Sequence, residues 1–413
     1  MRILLTCQPI TSHLVPALVP LARAAAAAGH QVAVATAGSM ADDLRRHGVA
    51  HLPLPRVPGL AELRTDPALA DEFGLPKVLM APGSRTVEPV VARQIARAYA
   101  GPVAGRFAAD LLAAAPDWRP DVIVREPAEF GGYLAAERLG IPHATVDIAP
   151  YALTELPVVH DAVNAQRVTL GLPPVDDPRH PHRHLLAALL PPRWYPPDLR
   201  LPTTRHYRVP VPGEEPAPAG DPGVAGAHDR PLVLASLGSL ALTLPGMADL
   251  LPVIVRALGA LPGRAVVTLG GQAQLAGAIG PVPENVTVVP YVAQAEVLAR
   301  CDLFVTHAGY SAIREAVAAG VPMVALPVVA DQPANAARVA ELGLGRALPI
   351  EDLTVEATAR ACSAVLADPG YRSRVAALRD ELWALPDLTR LVHDLTTLTR
   401  SSAPARNTGT VRR

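Results

Sequence analysis

The stretch YVAQAEVLARCDLFVTHAGYSAIREAVAAGVPMVALPVVADQPANAAR, residues 291–338, decides the fold. Within it, Asp302–Ala308 is a short apolar and β-branched run, which is typical of a strand buried on both faces. Arg314–Ala319 then has helix-forming composition, Gly320 ends that helix, and a second strand follows at Met323–Leu326. This order predicts two strands of a parallel sheet joined by a helix.

Polar side chains fall at the turn between the first of these strands and its helix. They are His307, Gly309 and Ser311, at the carboxyl end of a strand, where open α/β sheets bind ligands. The free N–H groups and the dipole of a helix N-terminus favour an anion, and the imidazole and hydroxyl add donors. The pattern therefore predicts a bound phosphate, with Glu315 placed to accept hydrogen bonds from sugar hydroxyls.

The same residues carry a family resemblance. The stretch resembles the nucleotide-sugar signature of family 1 glycosyltransferases, in both the plant and the bacterial antibiotic-tailoring branches. That signature is an aromatic residue, two residues and Gln, then His-x-Gly-aromatic-[Asn/Ser]-x-x-x-Glu, Gly-Val-Pro, and Asp-Gln followed by Asn. The matching positions are Tyr291, Gln294, His307, Gly309, Tyr310, Ser311, Glu315, Gly320, Val321, Pro322, Asp331, Gln332 and Asn335. So many matches in one order are specific, whereas a lone His-x-Gly would be weak.

The resemblance implies a role for each part of the signature. Tyr291 and the backbone of Gln294 hold the base, His307 and Ser311 the diphosphate, and Glu315 the ribose. Two departures stand out, because Ser311-Ala312 replaces the Gly-Thr or Asn-Ser of many relatives and Tyr291 replaces the usual Trp. The full predicted nucleotide-binding set is Ser239, Tyr291, Val292, Gln294, His307, Gly309, Tyr310, Ser311, Ala312 and Glu315, and the predicted sugar-binding pair is Asp331 and Gln332.

Composition narrows the class of protein. The chain of 413 residues is long enough for two α/β domains, and its net charge of −1 gives no electrostatic case for nucleic acid or an anionic membrane. Three widely spaced cysteines form no Cys-x-x-Cys and suit a reducing cytosol. The chain shows no signal pattern and no apolar run long enough for a membrane span. We therefore expect a cytoplasmic protein.

The chain begins with a second candidate site. Arg2–Cys7 and Gln31–Ala37 have strand patterns, and Leu14–Ala28 between them has helical composition, so a β-α-β unit is predicted. It lacks the Gly-x-Gly-x-x-Gly loop, which argues against a dinucleotide. His13 stands at the mouth of the helix instead, and the run Ser12–Pro16 resembles the family's Gly-His-x-x-Pro, whose His is the catalytic base. The alternative is a His that only caps the helix.

A carboxylate behind such a His would fix its tautomer and stabilise the imidazolium. Glu126 follows the predicted strand Asp121–Arg125 at the same sheet edge as His13, and a matching Asp fills this role in plant relatives. Glu129 and Asp147 also follow strands and remain alternatives. Glu126 could equally be a carboxylate that only stabilises a helix N-terminus.

The remaining segments are assigned to acceptor binding and domain linkage. Leu52–Pro89 and Tyr151–Tyr207 read as irregular, and in the family such regions bind the acceptor. The apolar residues Phe73, Leu75, Val78, Leu79 and Met80 suit a hydrophobic acceptor such as a polyketide, although ordinary core filling explains each one as well. Ser239 follows the predicted strand Pro231–Leu237, and the resemblance implies that it contacts the β-phosphate; the alternative is an N-cap.

These assignments predict an α/β protein with two facing, doubly wound Rossmann-like domains, the GT-B arrangement, and a cleft between them. The predicted boundaries are 1–209 for the acceptor domain, 210–229 for a hinge linker, 230–385 for the donor domain, 386–400 for a helix that crosses back, and 401–413 for a disordered tail. The chain has no Asp-x-Asp and no metal-ligand spacing, so neither a metal nor another cofactor is expected.

The predicted activity is inverting transfer of a sugar, with a deoxysugar favoured, from a dTDP- or UDP-sugar to a hydroxyl of a hydrophobic natural-product aglycone. His13 is the general base and Glu126 its partner. The alternatives are a nucleotide-sugar epimerase on the same fold and a non-catalytic partner protein. The sequence leaves open O- or C-glycosylation and the formation of a homodimer.

Overall fold

The computed structural model of the chain describes residues 1–78, 80, 87–149, 155–210 and 230–402. The predicted linker 210–229 and the predicted tail 401–413 lie outside these residues except at Pro210, Ser401 and Ser402. The described residues form two α/β units, each built on one parallel sheet.

The first sheet has seven strands in the order β3-β2-β1-β4-β5-β6-β7, and every neighbouring pair is parallel. The three strands β1, β4 and β5 are buried almost throughout, as their apolar, β-branched sequences predict. The strands are β1 Arg2–Thr6, β2 Gln31–Thr36, β3 His51–Pro53, β4 Val122–Arg125, β5 His143–Val146, β6 Leu186–Ala188 and β7 Thr204–His206.

Helices cover both faces of this sheet. Two segments, Leu14–Leu18 and Tyr99–Val103, are π-helical, a wide winding that is rare and often found at functional sites. The first of them joins α1 to α2 and the second joins α6 to α7. The helices are α1 Thr11–His13, α2 Val19–Ala27, α3 Ala41–Arg46, α4 Leu60–Thr65, α5 Pro67–Phe73, α6 Pro89–Ala98, α7 Ala104–Trp118, α8 Gly131–Leu139 and α9 Pro157–Thr169.

The second sheet has six parallel strands in the order β10-β9-β8-β11-β12-β13. Its strands are β8 Leu232–Ser236, β9 Arg264–Thr268, β10 Val286–Val289, β11 Leu303–Thr306, β12 Met323–Ala325 and β13 Gly345–Ala347. Its helices are α10 Gly238–Ala241, α11 Leu250–Gly259, α12 Gln294–Leu298, α13 Tyr310–Ala319, α14 Gln332–Glu341, α15 Val355–Ala367, α16 Pro369–Trp383 and α17 Leu388–Ser402.

Both sheets share one strand order, in which the first strand lies between the second and the fourth. In a sheet of this kind the order in which strands are added reverses between the first and fourth strands, and the crevice at their carboxyl ends is where ligands bind. Here those crevices lie beyond β1 and β4 in the first sheet and beyond β8 and β11 in the second. The predicted fold class, two doubly wound parallel-sheet units, is confirmed.

The prediction of irregular structure in Leu52–Pro89 and Tyr151–Tyr207 is wrong. These segments contain three helices, α4, α5 and α9, and two strands, β6 and β7. The strands are three residues long, too short for an alternating pattern to be read. Two of the helices, α5 and α9, begin with a proline, which the first turn of a helix tolerates but which reads as a breaker in a sequence.

The last helix, α17, packs against α2 of the first unit. The hydroxyl of Tyr207 donates to Oδ2 of Asp394 at 2.7 Å, and the amide of Arg208 donates to the carbonyl of Pro386 at 2.9 Å. Leu391 and Leu395 are fully buried in a core cluster that also contains residues of the first sheet. The chain therefore ends its described part on the unit in which it begins.

Candidate active site

The first crevice holds a histidine and a carboxylate. Thr6 at the end of β1 pairs with Arg125 at the end of β4, so the residues that follow the two strands meet. Nδ1 of His13 lies 3.4 Å from Oε1 of Glu126. The Glu126 side chain has no exposed surface, whereas 26% of the His13 side chain is exposed. This arrangement leaves Nε2 as the imidazole nitrogen free of the carboxylate.

Backbone groups hold the Glu126 carboxylate in place. The amide of Ala128 donates to Oε2 at 2.6 Å, and the amide of Gln8 donates to Oε1 at 3.3 Å. The loop itself is fixed by Arg125, whose buried Nη1 donates to the carbonyls of Glu126 at 3.2 Å and Glu129 at 3.0 Å. These contacts orient the carboxylate toward His13, and a buried carboxylate needs such donors.

The other two candidate carboxylates are bonded elsewhere. Glu129 accepts from the hydroxyl of Thr6 and from the amide of Gly132, and burial raises the pKa of Glu129 to about 7. Asp147 accepts from the hydroxyl of Tyr195 at 2.8 Å, and burial raises the pKa of Asp147 to about 7. Of the three carboxylates that the sequence left open, the structure brings Glu126 within hydrogen-bonding distance of His13.

A residue that the sequence did not single out also lies at this crevice. Tyr99 begins the second π-helical segment, and burial raises its pKa to about 12, with the negative charge of Glu126 adding to the rise. The phenol therefore interacts electrostatically with Glu126 and is protonated at neutral pH. No sequence pattern marks Tyr99, because its helix is far from Glu126 along the chain.

The second crevice is built around His307, which follows β11. Its ring lies between two glycines, since a Cβ atom added to Gly238 would lie 2.8 Å from Cε1 of His307 and one added to Gly309 would lie 2.5 Å from Nε2. Burial lowers the pKa of His307 to about 4, so the imidazole is neutral at pH 7. A neutral imidazole can still donate one N–H to a phosphate oxygen.

Two alanines in this crevice have a backbone conformation that is rare outside glycine. Ala308 has a φ of 63° and Ala330 a φ of 58°, both in the left-handed region. Such strain is often found at ligand sites. Asn335 connects the two turns, because its Nδ2 donates to the carbonyl of Ala308 at 3.0 Å and to Oδ2 of Asp331 at 2.6 Å.

The predicted base and ribose residues lie beside this turn. Tyr291 is 75% exposed, and Val292 next to it is buried. Nε2 of Gln294 donates to Oε2 of Glu315 at 2.7 Å, and burial raises the pKa of Glu315. The amide of Gln294 therefore orients the carboxylate that is predicted to hold the ribose.

The two serine hydroxyls that are predicted to bind the diphosphate differ in exposure. Ser239 is exposed on α10, and Ser311 is half-buried in the first turn of α13. Ala312 is buried and contributes no side-chain donor. The backbone N–H groups at the start of α13, which no residue of the same helix can accept, lie next to Ser311.

Tyr310, which is predicted to bind the nucleotide, directs its side chain elsewhere. Its ring is 2% exposed, and its hydroxyl contacts the hydroxyl of Tyr195 and accepts from the amide of Leu189 at 3.3 Å. The phenol of Tyr310 therefore belongs to the interface between the two units. Its backbone N–H, at the first position of α13, has no acceptor within the helix and is therefore available to a bound nucleotide.

The predicted sugar-binding pair, Asp331 and Gln332, stands at the start of α14. Gln332 accepts through Oε1 from the amides of Val328 at 2.9 Å and Val329 at 3.0 Å, which fixes the loop before it. Burial raises the pKa of Asp331, and the charge of His13 acts in the opposite direction. Asp331 and His13 therefore interact electrostatically across the boundary between the two units.

Two family models match the chain, one for each unit. Both describe the erythromycin biosynthesis protein CIII-like type: its N-terminal domain matches residues 23–174 and its C-terminal domain matches residues 253–398. The chain belongs to the GT-B natural-product glycosyltransferases. The predicted family and enzyme class are thereby confirmed.

Individual relatives of this glycosyltransferase match along nearly the whole chain. It is 28% identical to 3-alpha-mycarosylerythronolide B desosaminyl transferase of Saccharopolyspora erythraea, over 95% of this chain and 97% of the relative. It is 28% identical to L-demethylnoviosyl transferase of Streptomyces niveus, over 98% and 100% respectively. The solved structure of glycosyltransferase VinC in complex with dTDP superposes with a TM-score of 0.74 at 24% identity, over 97% of this chain and 100% of that one.

Among the described residues of this GT-B glycosyltransferase, two kinds of feature are absent: membrane-spanning helices and metal-ligand groups. No helix among them combines the length and apolar character that crossing a bilayer requires. In the same residues, no group of three or more His, Cys, Asp or Glu side chains is arranged to hold a metal ion.

Proposed function

We propose that this glycosyltransferase moves a sugar from a nucleoside diphosphate to a hydroxyl of a hydrophobic natural-product aglycone, with inversion at the anomeric carbon. The observation that carries the proposal is the position of His13. The imidazole is paired with Glu126 on one side, has exposed surface, and interacts electrostatically with Asp331 of the second crevice. A base held in this way is within electrostatic range of one of the two residues that are predicted to hold the sugar.

In the proposed reaction, Nε2 of His13 takes the proton of the acceptor hydroxyl. The hydroxyl oxygen forms a bond to the anomeric carbon, and the bond from that carbon to the diphosphate oxygen breaks. The electron pair of the broken bond leaves with the nucleoside diphosphate. Glu126 stabilises the imidazolium that forms, because its buried carboxylate lies 3.4 Å from Nδ1.

The leaving diphosphate needs stabilisation as its charge develops. The N-terminus of α13, the neutral imidazole of His307 and the hydroxyls of Ser311 and Ser239 are the groups proposed to supply it, and no metal or other cofactor is part of the proposal. Hydrogen-bond donors fixed in place before reaction are effective because they need not reorganise. Asp331 and Gln332 are proposed to hold the sugar hydroxyls, and Glu315 the ribose.

The donor is proposed to be a dTDP-sugar, with a UDP-sugar as the second choice. VinC was solved with dTDP, and the relatives named above transfer desosaminyl and L-demethylnoviosyl groups, which supports a dTDP-deoxysugar. Tyr291 is proposed to stack on the base, since its ring is largely exposed at the edge of the crevice.

The acceptor is proposed to bind beside His13, against the first unit. Tyr99 is a candidate to contact it, because the phenol interacts electrostatically with Glu126 and stays protonated. Of the apolar residues that the sequence suggested as walls, Phe73 and Met80 are buried in core clusters and Val78 is exposed, while Leu79 lies outside the described residues. Phe73 and Met80 therefore support the fold and do not face an acceptor.

The direct test is a transfer assay. The chain would be incubated with dTDP-glucose or UDP-glucose and a panel of polyketide, macrolide and aromatic aglycones, and the products measured by mass spectrometry and by the anomeric proton coupling in NMR. The expected product is a glycoside of inverted anomeric configuration. Release of an isomerised nucleotide sugar with no glycoside would refute the proposal and support an epimerase.

A further inference from the structure

Two faces of helix α13 make different contacts. Ser311 and Glu315, four residues apart, lie on the donor side, where Glu315 is bonded to Gln294. Tyr310 and Arg314, also four residues apart, both make hydrogen bonds to the first unit. Residues four apart share one face of a helix. The helix that begins the donor site is therefore also the part of the second unit that docks onto the first.

Arg314 reaches the segment that carries His13. Its side chain is 4% exposed, and Nη2 donates to the carbonyl oxygen of Pro16 at 2.6 Å. Pro16 is three residues after His13, in the π-helical segment Leu14–Leu18. The residue four positions further on, Pro20, has no backbone N–H, so it cannot donate to Pro16 in the α-helical pattern. The guanidinium supplies a donor to this carbonyl from the other unit.

The rest of the Arg314 side chain argues against a purely stabilising role. Nε and Nη1 are buried, and neither has a hydrogen-bond partner among the described residues. Buried donors without partners cost stability, and burial lowers the pKa of this guanidinium. An apolar side chain of similar length would fill the same space at lower cost. What a methionine could not provide is the hydrogen bond to Pro16.

Tyr310 makes the second contact one turn earlier on the same face. Its hydroxyl accepts from the amide of Leu189 at 3.3 Å and contacts the hydroxyl of Tyr195. Tyr195 in turn donates to Asp147 at 2.8 Å. The chain of hydrogen bonds from Tyr310 therefore ends at a carboxyl beyond β5 of the first sheet.

We propose that Arg314 and Tyr310 are positioning residues for sugar transfer, which set the donor helix at a fixed distance and angle from His13. The inference rests on the proposed function. Arg314 ties α13, which begins the donor site, to the π-helical segment that follows the base, and Tyr310 ties the same helix to Leu189 of the first unit. Reacting atoms must approach to roughly 3–3.5 Å, and an error of about 1 Å can lower the rate by about 10²-fold.

The test compares two arginines that both bond across the boundary. Arg314→Met removes the donor to Pro16 and keeps most of the side-chain volume, and Arg314→Lys restores a cationic donor. Arg338→Met is the matched control, because Arg338 donates to the carbonyls of Trp194 at 2.7 Å and Arg193 at 2.5 Å, away from the His13 segment. The readouts are kcat for transfer from dTDP-glucose to 4-methylumbelliferone, kcat for dTDP-glucose hydrolysis, the Kd of dTDP by calorimetry, and Tm.

We expect Arg314→Met to lower kcat for transfer by about 10²-fold, with the Kd of dTDP changed less than twofold. Arg314→Lys should have a kcat at least tenfold higher than that of Arg314→Met. Arg338→Met should lower Tm while keeping kcat within threefold of the wild-type value. The inference is overturned if Arg314→Met keeps kcat within threefold, if Arg338→Met loses as much kcat, or if kcat and dTDP affinity fall by the same factor.

Tyr310→Phe decides the matter if Arg314→Met does not fold, because it removes one oxygen atom from the interface. A fall in kcat of tenfold or more with unchanged dTDP affinity supports the inference, and an unchanged kcat refutes it. Failure of the proposed function looks different. In that case the wild-type chain itself forms no glycoside from dTDP-glucose, whether it leaves the nucleotide sugar intact or isomerises it.

Discussion

Oε1 of Glu126 lies 3.4 Å from Nδ1 of His13, and the carboxylate is fully buried whereas the imidazole is partly exposed. A buried carboxylate with backbone donors keeps its orientation, and its contact with Nδ1 leaves Nε2 of His13 free of the carboxylate. This relationship makes separate predictions for the two residues.

His13→Ala should lower kcat for transfer by roughly 10²–10⁴-fold, the contribution of a general base. The Kd of dTDP should change little, because His13 lies in the first unit and the nucleotide is proposed to bind the second. His393→Ala, an exposed histidine on α17, is the control and should keep full activity. A His13→Ala enzyme with normal kcat would remove this residue from the mechanism.

Glu126→Gln should lower kcat by between about tenfold and 10⁴-fold, because the imidazolium would lose its negative partner while one of the two backbone donors keeps an acceptor. The measurement is kcat and KM over a range of acceptor concentrations, together with Tm to check folding. A loss confined to KM would show that the carboxylate shapes the acceptor site and does not act on His13.

His307→Ala should weaken dTDP binding by ~1.5–3 kcal/mol, the range for a hydrogen bond to a charged group. Because burial lowers the pKa of His307 to about 4, the ring stays neutral between pH 6 and pH 8, and its contribution should not vary in that range. The contribution of His307 is measured by calorimetry of dTDP binding to the wild type and to the variant at pH 6 and at pH 8. An unchanged affinity at pH 7 would reject this role.

Glu129→Gln should change how stability depends on pH. The pKa of Glu129 is raised from 4.5 to about 7 in the folded chain, so its carboxyl stabilises the fold fully below pH 4.5 and progressively less up to about pH 7. Glutamine does not ionise, so the Tm of the variant relative to wild type should rise as the pH is raised from 5 to 7.5.

The control for this experiment is Glu351→Gln, at an exposed position. Its Tm relative to wild type should be nearly constant over the same pH range. A constant difference for Glu129→Gln as well would show that the buried carboxyl titrates at the same pH in the folded and unfolded chains.

Much of the architecture follows from local sequence. Buried strands of four to six residues with β-branched side chains, such as β1 and β11, are visible as apolar runs, and a glycine such as Gly320 marks a helix end. Because parallel strands place their carboxyl ends at one edge, the proximity of His13 and Glu126 could be predicted without coordinates. The signature in residues 291–338 predicted, through the family resemblance, that the donor binds beyond β11, and this stays a prediction.

Other features depend on contacts between distant segments. The direction of the Tyr310 ring is set by Tyr195 and Leu189, which lie more than a hundred residues away along the chain. The electrostatic interaction of Tyr99 with Glu126 likewise arises only when α6 and α7 pack on the sheet. The left-handed conformation of Ala308 could not be predicted, since alanine disfavours it and only the surrounding structure imposes it.

The contact between Arg314 and Pro16 also bears on the engineering of hybrid enzymes. Exchanging whole halves between relatives is an attractive way to combine one sugar with another scaffold. A hybrid that takes its second half from this chain should also take the Pro16–Pro20 segment, because Pro20 has no N–H to donate to the Pro16 carbonyl, which accepts from the guanidinium instead. The junctions between the parent sequences are therefore best placed so that α1, the π-helical segment Leu14–Leu18 and α13 come from one parent.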